Sequence, residues 1–166
     1  MDFCVFDTEG RGYIDDNKYC LVQIGVIKIK SGVVDSVWNT NLNPQAPISH
    51  MAYECHGLDL SMLENAPLFT DVADSFLEFT EGLPLVAFNV KSDMGMLNHD
   101  LVLARHDEIP YTRFLCAEKI ASKLYEKNLS ADRLALTLNV PGRTGSHSAS
   151  EDARILWKCL EVMMQN

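Results

Sequence analysis

Residues 3–10 read FCVFDTEG, an apolar run that ends in two carboxylates separated by a single threonine. Alternation along a β-strand sends every second side chain to the same face, so Phe3, Val5, Asp7 and Glu9 share one side. Like charges this close repel, and burial raises the cost. A strand fraying into a polar turn accounts for the pattern without chemistry. A pair of ligands for a hard divalent cation accounts for it with chemistry. The rest of the chain must supply the partners that decide between them.

Outward from this strand, GRGYIDDNK (10–18) reads as a loop. CLVQIGVIKIK (20–30) and VVDSVWNTNL (33–42) are β-rich runs on either side of Ser31-Gly32, a compact hairpin signal. Pro44 and Pro47 end the second run, and short helical pieces follow from about Ile48 to Leu63. Leu68, Val72, Phe76 and Phe79 recur near helical spacing in LFTDVADSFLEFT (68–80), which predicts an amphipathic helix. The apolar run LPLVAF (83–88) predicts a buried strand leading into a helix over Asp93–Arg105. A strand around Arg113–Cys116 runs into a helix through Lys127, and helices over Ala131–Leu138 and Ala149–Met164 close the chain. Three strands followed by βα units predict an α/β fold, a mixed central sheet flanked by helices, filling residues 1–166 as one domain.

Composition narrows the function classes. The 166 residues are 47% hydrophobic and 22% charged, ordinary for a soluble globular protein. No stretch has the length of a membrane span and no signal segment opens the chain. The five cysteines are scattered without C-x-x-C spacing, which predicts reduced thiols and a cytoplasmic protein. Cys55-His56 with His50 nearby lacks the second ligand pair that a zinc site needs. A net charge of −9 argues against a large, salt-sensitive nucleic-acid footprint, unless several acids are metal ligands whose charge the ions cancel.

Two further acids head apolar stripes. In GSHSASEDARILWKCLEVMM (145–164), Asp152 is followed at helical steps by Ile155, Leu156, Cys159 and Leu160, so it points toward the core. Glu151 is accounted for separately, by a capping box with Ser148 as N-cap. In VAFNVKSDMGMLNHDL (86–101), Asp93 precedes Leu97 and Leu101 on the same face, and Asn89 stands where the strand ends, as a turn or cap residue. An exposed first-turn acid favoured by the helix dipole explains either one alone. Together, Asp7, Glu9, Asp93 and Asp152 fit a site for two magnesium-like ions. Without metal they should repel one another.

DTEG, NVKSD and HSASED, in that order, resemble the three exonuclease motifs of the DEDDh-type 3′–5′ exonucleases: D-x-E, N-x-x-x-D and H-x-x-x-x-D. That family includes bacterial proofreading subunits, ribonuclease T, oligoribonuclease and exonuclease X, all on a ribonuclease H-like fold. The likeness extends to QIGVIKI and LVAFN, and CAEKIASKLY is similar to exonuclease X. The resemblance implies that Asp7, Glu9 and Asp152 hold the Mg²⁺ or Mn²⁺ ion that activates the attacking water. Asp7 also bridges to a second ion, supported by Asp93, and His147 is the general base. It further implies that Thr8, Gly10 and Asn89 contact the substrate. Gly10 stands where relatives often carry a second threonine. Phe88 replaces a common histidine before Asn89, and Ser92 a common aromatic.

The implied reaction is metal-dependent 3′–5′ hydrolysis of phosphodiester bonds, releasing nucleoside 5′-monophosphates. Single-stranded DNA 3′ ends are the favoured partner, because basic surface is scarce. RNA trimming or degradation of short oligoribonucleotides is the alternative, and a non-catalytic nucleic-acid-binding module is a third reading. Lys119, Lys123 and Lys127 would make one basic helix edge, and Arg143 is a candidate phosphate contact. The chain ends soon after the third motif, which favours a free-standing nuclease and leaves monomer and homodimer open.

Overall fold

The computed structural model describes residues 1–14, 17–125 and 128–165. Strand β1 (Phe3–Gly10) is buried along most of its length and occupies the middle of a five-stranded sheet. The expected hairpin is β2 (Leu21–Lys30) and β3 (Val33–Asn41). At its tip Ser31 and Gly32 both take positive φ, 52° and 79°, as in the type I′ turns whose twist suits paired strands. With β4 (Leu85–Ala87) and β5 (Phe114–Cys116) the order is β3-β2-β1-β4-β5. The first three strands pair antiparallel, and β4 and β5 continue parallel to β1, so the sheet is mixed as the sequence predicts.

Seven α-helices pack around it among the described residues: α1 (His50–His56), α2 (Leu60–Leu63), α3 (Phe69–Thr80), α4 (Val90–Leu103), α5 (Ala117–Leu124), α6 (Ala131–Thr137) and α7 (Ala149–Gln165). Helix α4 starts at Val90 rather than Asp93, which places Asp93 in its first turn. Helix α5 ends at Leu124; Lys127, expected to extend it, lies outside the described residues. No helix among them is long and apolar enough to cross a membrane.

The alternation in β1 sorts its neighbours. Cys4 and Phe6 join Phe69, Phe76, Leu97 and Leu101 of α3 and α4 in one buried layer. On the opposite face, Phe3 and Val5 pack with Leu156, Trp157 and Leu160 of α7. Continuing the count, Asp7 and Glu9 fall on the α7 side. A third cluster (Ala121, Leu134, Ile155, Cys159) fastens α5 and α6 to the outer flank of α7.

Two features place the start of α7 against the sheet. A Cβ on Gly25 would lie 2.6 Å from the Ala149 carbonyl group and the Ser150 nitrogen, so only glycine allows this approach. Beside it, Gln23 Oε1 accepts the Ala149 N–H at 2.7 Å. Gln23 and Gly25 stand opposite Glu9 and Asp7 in the β1–β2 register. The capping box expected of Ser148 and Glu151 is not formed. Ser148 Oγ meets Ser150 Oγ at 3.2 Å, and Glu151 lies 3.8 Å from Arg154. An acceptor from β2 has taken the role that a local side chain usually fills.

Strand β4 is short. It pairs with β1 only at Cys4–Leu85 and Val5–Val86, so the Asp7–Gly10 end of β1, still paired with β2, has no strand on its β4 side. Elsewhere, fully buried Asp100 accepts the backbone N–H groups of Cys20 (2.9 Å) and Leu21 (2.9 Å), and His99 Nδ1–H at 2.8 Å. These bonds pin the start of β2 to α4.

Candidate active site

Where β4 stops, a cleft opens between β1, α4 and α7. Asp7 and Glu9 from β1, Asp93 from the first turn of α4 and Asp152 from the first turn of α7 all line it, with Asn89, Arg143 and His147. The structure brings together all four acids and the histidine singled out in the sequence. Glu9, His147 and Asp152 each offer a ligand atom within 4.8 Å of the others.

The electrostatics are those of a crowded acid cluster. Burial pushes the Asp7 carboxyl well above the usual carboxylate range, and repulsion from Asp93, Glu9 and Asp152 adds to it. Glu9 is raised from 4.5 to about 7, first by burial and then by Asp152 and Asp93. Asp93 is raised to about 6 by burial, tempered by hydrogen bonds from Thr8. Arg143 opposes the shifts at Asp7 and Glu9.

Asp152 is held differently. His147 Nδ1 lies 3.0 Å from Asp152 Oδ2, and Arg143 Nε donates to Asp152 Oδ1 at 3.0 Å. Arg143 Nη1 also meets His147 Nε2 at 2.8 Å and donates to Asp132 Oδ2 at 3.0 Å. A guanidinium has no acceptor, so Nε2 of His147 accepts. The proton then sits on Nδ1 and is donated to Asp152. The loop carrying His147 is tied down through α1, whose Cys55 carbonyl accepts the His147 N–H at 3.0 Å. His56 bonds the Leu58 N–H through Nδ1 and the Gly10 carbonyl through Nε2, both at 3.0 Å. This chain of contacts joins the end of β1 to the loop before α7.

The residues expected to touch substrate fall into different places. Thr8 is buried, and both its N–H (3.0 Å) and its hydroxyl (2.6 Å) donate to Asp93 Oδ1. Its side chain is therefore committed to an acid of the site. Gly10 packs so closely on Met96 that a Cβ would collide with the sulfur. Asn89 lines the cleft as the N-cap residue of α4, without a side-chain capping bond. Phe88 is partly buried against the α7 core, and Ser92 lines the cleft. Lys119 and Lys123 are exposed on α5 and do not line the cleft.

The family model described as Exonuclease, of the RNase T type, matches residues 4–160. The chain belongs to this exonuclease family. Among its relatives, the DNA polymerase III PolC-type protein of Caldanaerobacter subterraneus subsp. tengcongensis is 33% identical over 173 aligned positions, covering 99% of this chain and 12% of that protein. DNA polymerase III subunit epsilon of Rickettsia felis is 33% identical over 106 positions, covering 63% of this chain and 46% of that subunit. The chain thus spans less than half the length of these relatives. Among solved structures, exonuclease X in complex with 5′ overhanging duplex DNA superposes with a TM-score of 0.73 at 22% identity, covering 99% of this chain and 92% of that one. The nuclease domain of 3′hExo, a DEDDh family member bound to rAMP, gives 0.82 at 13% identity with the same coverage. The fold is ribonuclease H-like.

Sequence reasoning missed the Arg143 contacts, the Gln23 cap and the Thr8–Asp93 lock. The last two join residues far apart in the chain; the Arg143 contacts are local but belong to an irregular loop, with no periodicity to announce them.

Proposed function

We propose that the chain is a metal-dependent 3′–5′ exonuclease that hydrolyses phosphodiester bonds and releases nucleoside 5′-monophosphates. One observation carries this reading: four carboxylates from three chain segments converge on a cleft beside a histidine whose tautomer is set by one of them. Such crowding raises acid pKa values and costs stability, and so calls for a cation. The donors are carboxylate oxygens with one imidazole, a set that suits hard ions such as Mg²⁺ or Mn²⁺. Asp7, Glu9, Asp93 and Asp152 would hold the metal, two ions on this reading. Bound there, it would polarise water and offset charge at the scissile phosphate.

The chain's own residues supply orientation and proton transfer. His147 takes the proton of the attacking water at Nε2, because its Nδ1–H is donated to Asp152. Thr8 fixes the rotamer of Asp93 through two hydrogen bonds. Asn89, uncommitted as a cap, would meet the terminal nucleotide from the cleft wall. Among the described residues lining the cleft, Arg143 is the one that carries a permanent positive charge. With so little basic surface, a single-stranded DNA 3′ end suits the cleft better than duplex. RNA is the second reading, favoured by the rAMP bound to the similar 3′hExo domain.

The test is digestion of matched 5′-labelled DNA and RNA oligonucleotides, with Mg²⁺ or Mn²⁺ and with chelator. Stepwise shortening from the 3′ end that needs the metal and disappears in Asp7→Ala and Asp152→Ala is expected. Full activity in chelator, or binding without cleavage under every metal, would refute the assignment.

A further inference from the structure

Among the described residues, Arg143 touches both His147 and its carboxylate partner Asp152. Its side chain is only 14% exposed and reaches the cleft from the loop between α6 and α7. Nε holds Asp152 Oδ1, while Nη1 holds Asp132 Oδ2 and the lone pair of His147 Nε2. A lysine ammonium is a point charge on a flexible stem, whereas this use needs a rigid planar fork. The outer anchor, Asp132, sits in the first turn of α6 with its side chain 61% exposed. Arg143 therefore bridges from the rim to the interior of the acid cluster.

We propose that Arg143 is a positioning residue that competes with the divalent cation. In the metal-free protein it occupies the Asp152 carboxylate and caps the basic nitrogen of His147, and metal binding lifts it from both. This rests on the reading of Asp152 as a metal ligand. The consequence is an ordering of events within the site. While the guanidinium is docked, His147 Nε2 has no lone pair left for water, and one Asp152 oxygen is already in a charge-assisted bond. Loading the site frees both together, so the base becomes available only when the acids are occupied. Asp132 keeps the displaced guanidinium at the rim.

Titration of the full chain with Mg²⁺ by calorimetry, beside NMR of the Arg143 Nε–H group, tests this without an activity measurement. Arg143→Gln should bind Mg²⁺ about tenfold more tightly, the factor that corresponds to ~1.4 kcal/mol, and should melt at a lower temperature in chelator. Arg143→Lys keeps the charge but not the fork and should show a smaller gain. In the wild type the Nε–H resonance, identified by its loss in the variants, should shift and exchange faster on saturation with Mg²⁺. A folded Arg143→Gln that binds Mg²⁺ no more tightly than wild type, or a Lys variant identical to wild type, would overturn the proposal. Should Arg143→Gln fail to fold, the wild-type resonance still decides: an unmoved signal at saturating Mg²⁺ overturns the proposal. No binding of either Mg²⁺ or Mn²⁺ by the wild type would instead refute the metal-dependent function, and this inference with it.

Discussion

Glu9→Gln in metal-free protein isolates the cost of gathering the acids. Glu9 is raised from 4.5 to about 7 by burial and by its neighbours Asp152 and Asp93. At ~1.4 kcal/mol per pH unit, that difference puts about 3 kcal/mol between the neutral and ionised forms of the folded protein. A carboxyl raised on folding favours the native state most when it is protonated. The contribution is thus fully present below pH 4.5 and lost as pH rises through about 7. Glutamine keeps the shape and cannot ionise. In chelator, the stability of the variant relative to wild type should therefore improve by up to about 3 kcal/mol between pH 4.5 and pH 8. For a chain of this size that is about 6–12 °C in melting temperature, at ~2–4 °C per kcal/mol. Saturating Mg²⁺ at pH 8 should reverse the order by stabilising the wild type more. The assay is thermal unfolding of both proteins across this pH range, with and without Mg²⁺. Parallel curves in chelator would show that Glu9 ionises in the folded protein at no cost, and the account of the cluster would fail.

Further substitutions probe the supports. His147→Ala should lower turnover by about 10²–10⁴-fold, as loss of a general base does, while calorimetry shows Mg²⁺ still bound. Gly25→Ala forces a methyl into the Ala149–Ser150 backbone; a loss of about 1–3 kcal/mol in denaturant unfolding is expected, together with reduced cleavage as Asp152 shifts. Thr8→Val removes the hydroxyl donor to Asp93 and should cost about 1–3 kcal/mol, whereas Thr8→Ser, measured in the same melts, should restore most of it.

Much of this was legible from periodicity. The alternation in FCVFDTEG put Asp7 and Glu9 on the side of Phe3 and Val5, and α7 packs on that side. The stripe Ile155, Leu156, Cys159 and Leu160 aimed Asp152 inward, where the structure has it. What escaped was pairing outside any regular period, part of it over long sequence distances. The cap on α7 comes from Gln23, 126 positions away, and Thr8 reaches Asp93 across 85. No local pattern encodes such contacts. Asp152 illustrates the limit: as a sequence feature it is one more repelling acid, yet in the fold it is paired with Arg143 and His147. Neutralising it would take the inner counter-charge from that arginine rather than simply relieve repulsion.

The early end of β4 has a consequence for how the site reports on itself. On the β4 side of β1, the Cys4 N–H is received by the Pro84 carbonyl at 2.8 Å. Further along, where the neighbouring strand is missing, the Thr8 N–H is received by Asp93 Oδ1 instead. A carboxylate side chain is completing a sheet ladder. Exchange of this amide with deuterated solvent thus depends on where one carboxylate points, while the Cys4 amide is held by main chain alone. Anything that draws Asp93 away should speed exchange at Thr8 and leave Cys4 unchanged, making the pair a built-in gauge of the cleft's state that needs no substrate.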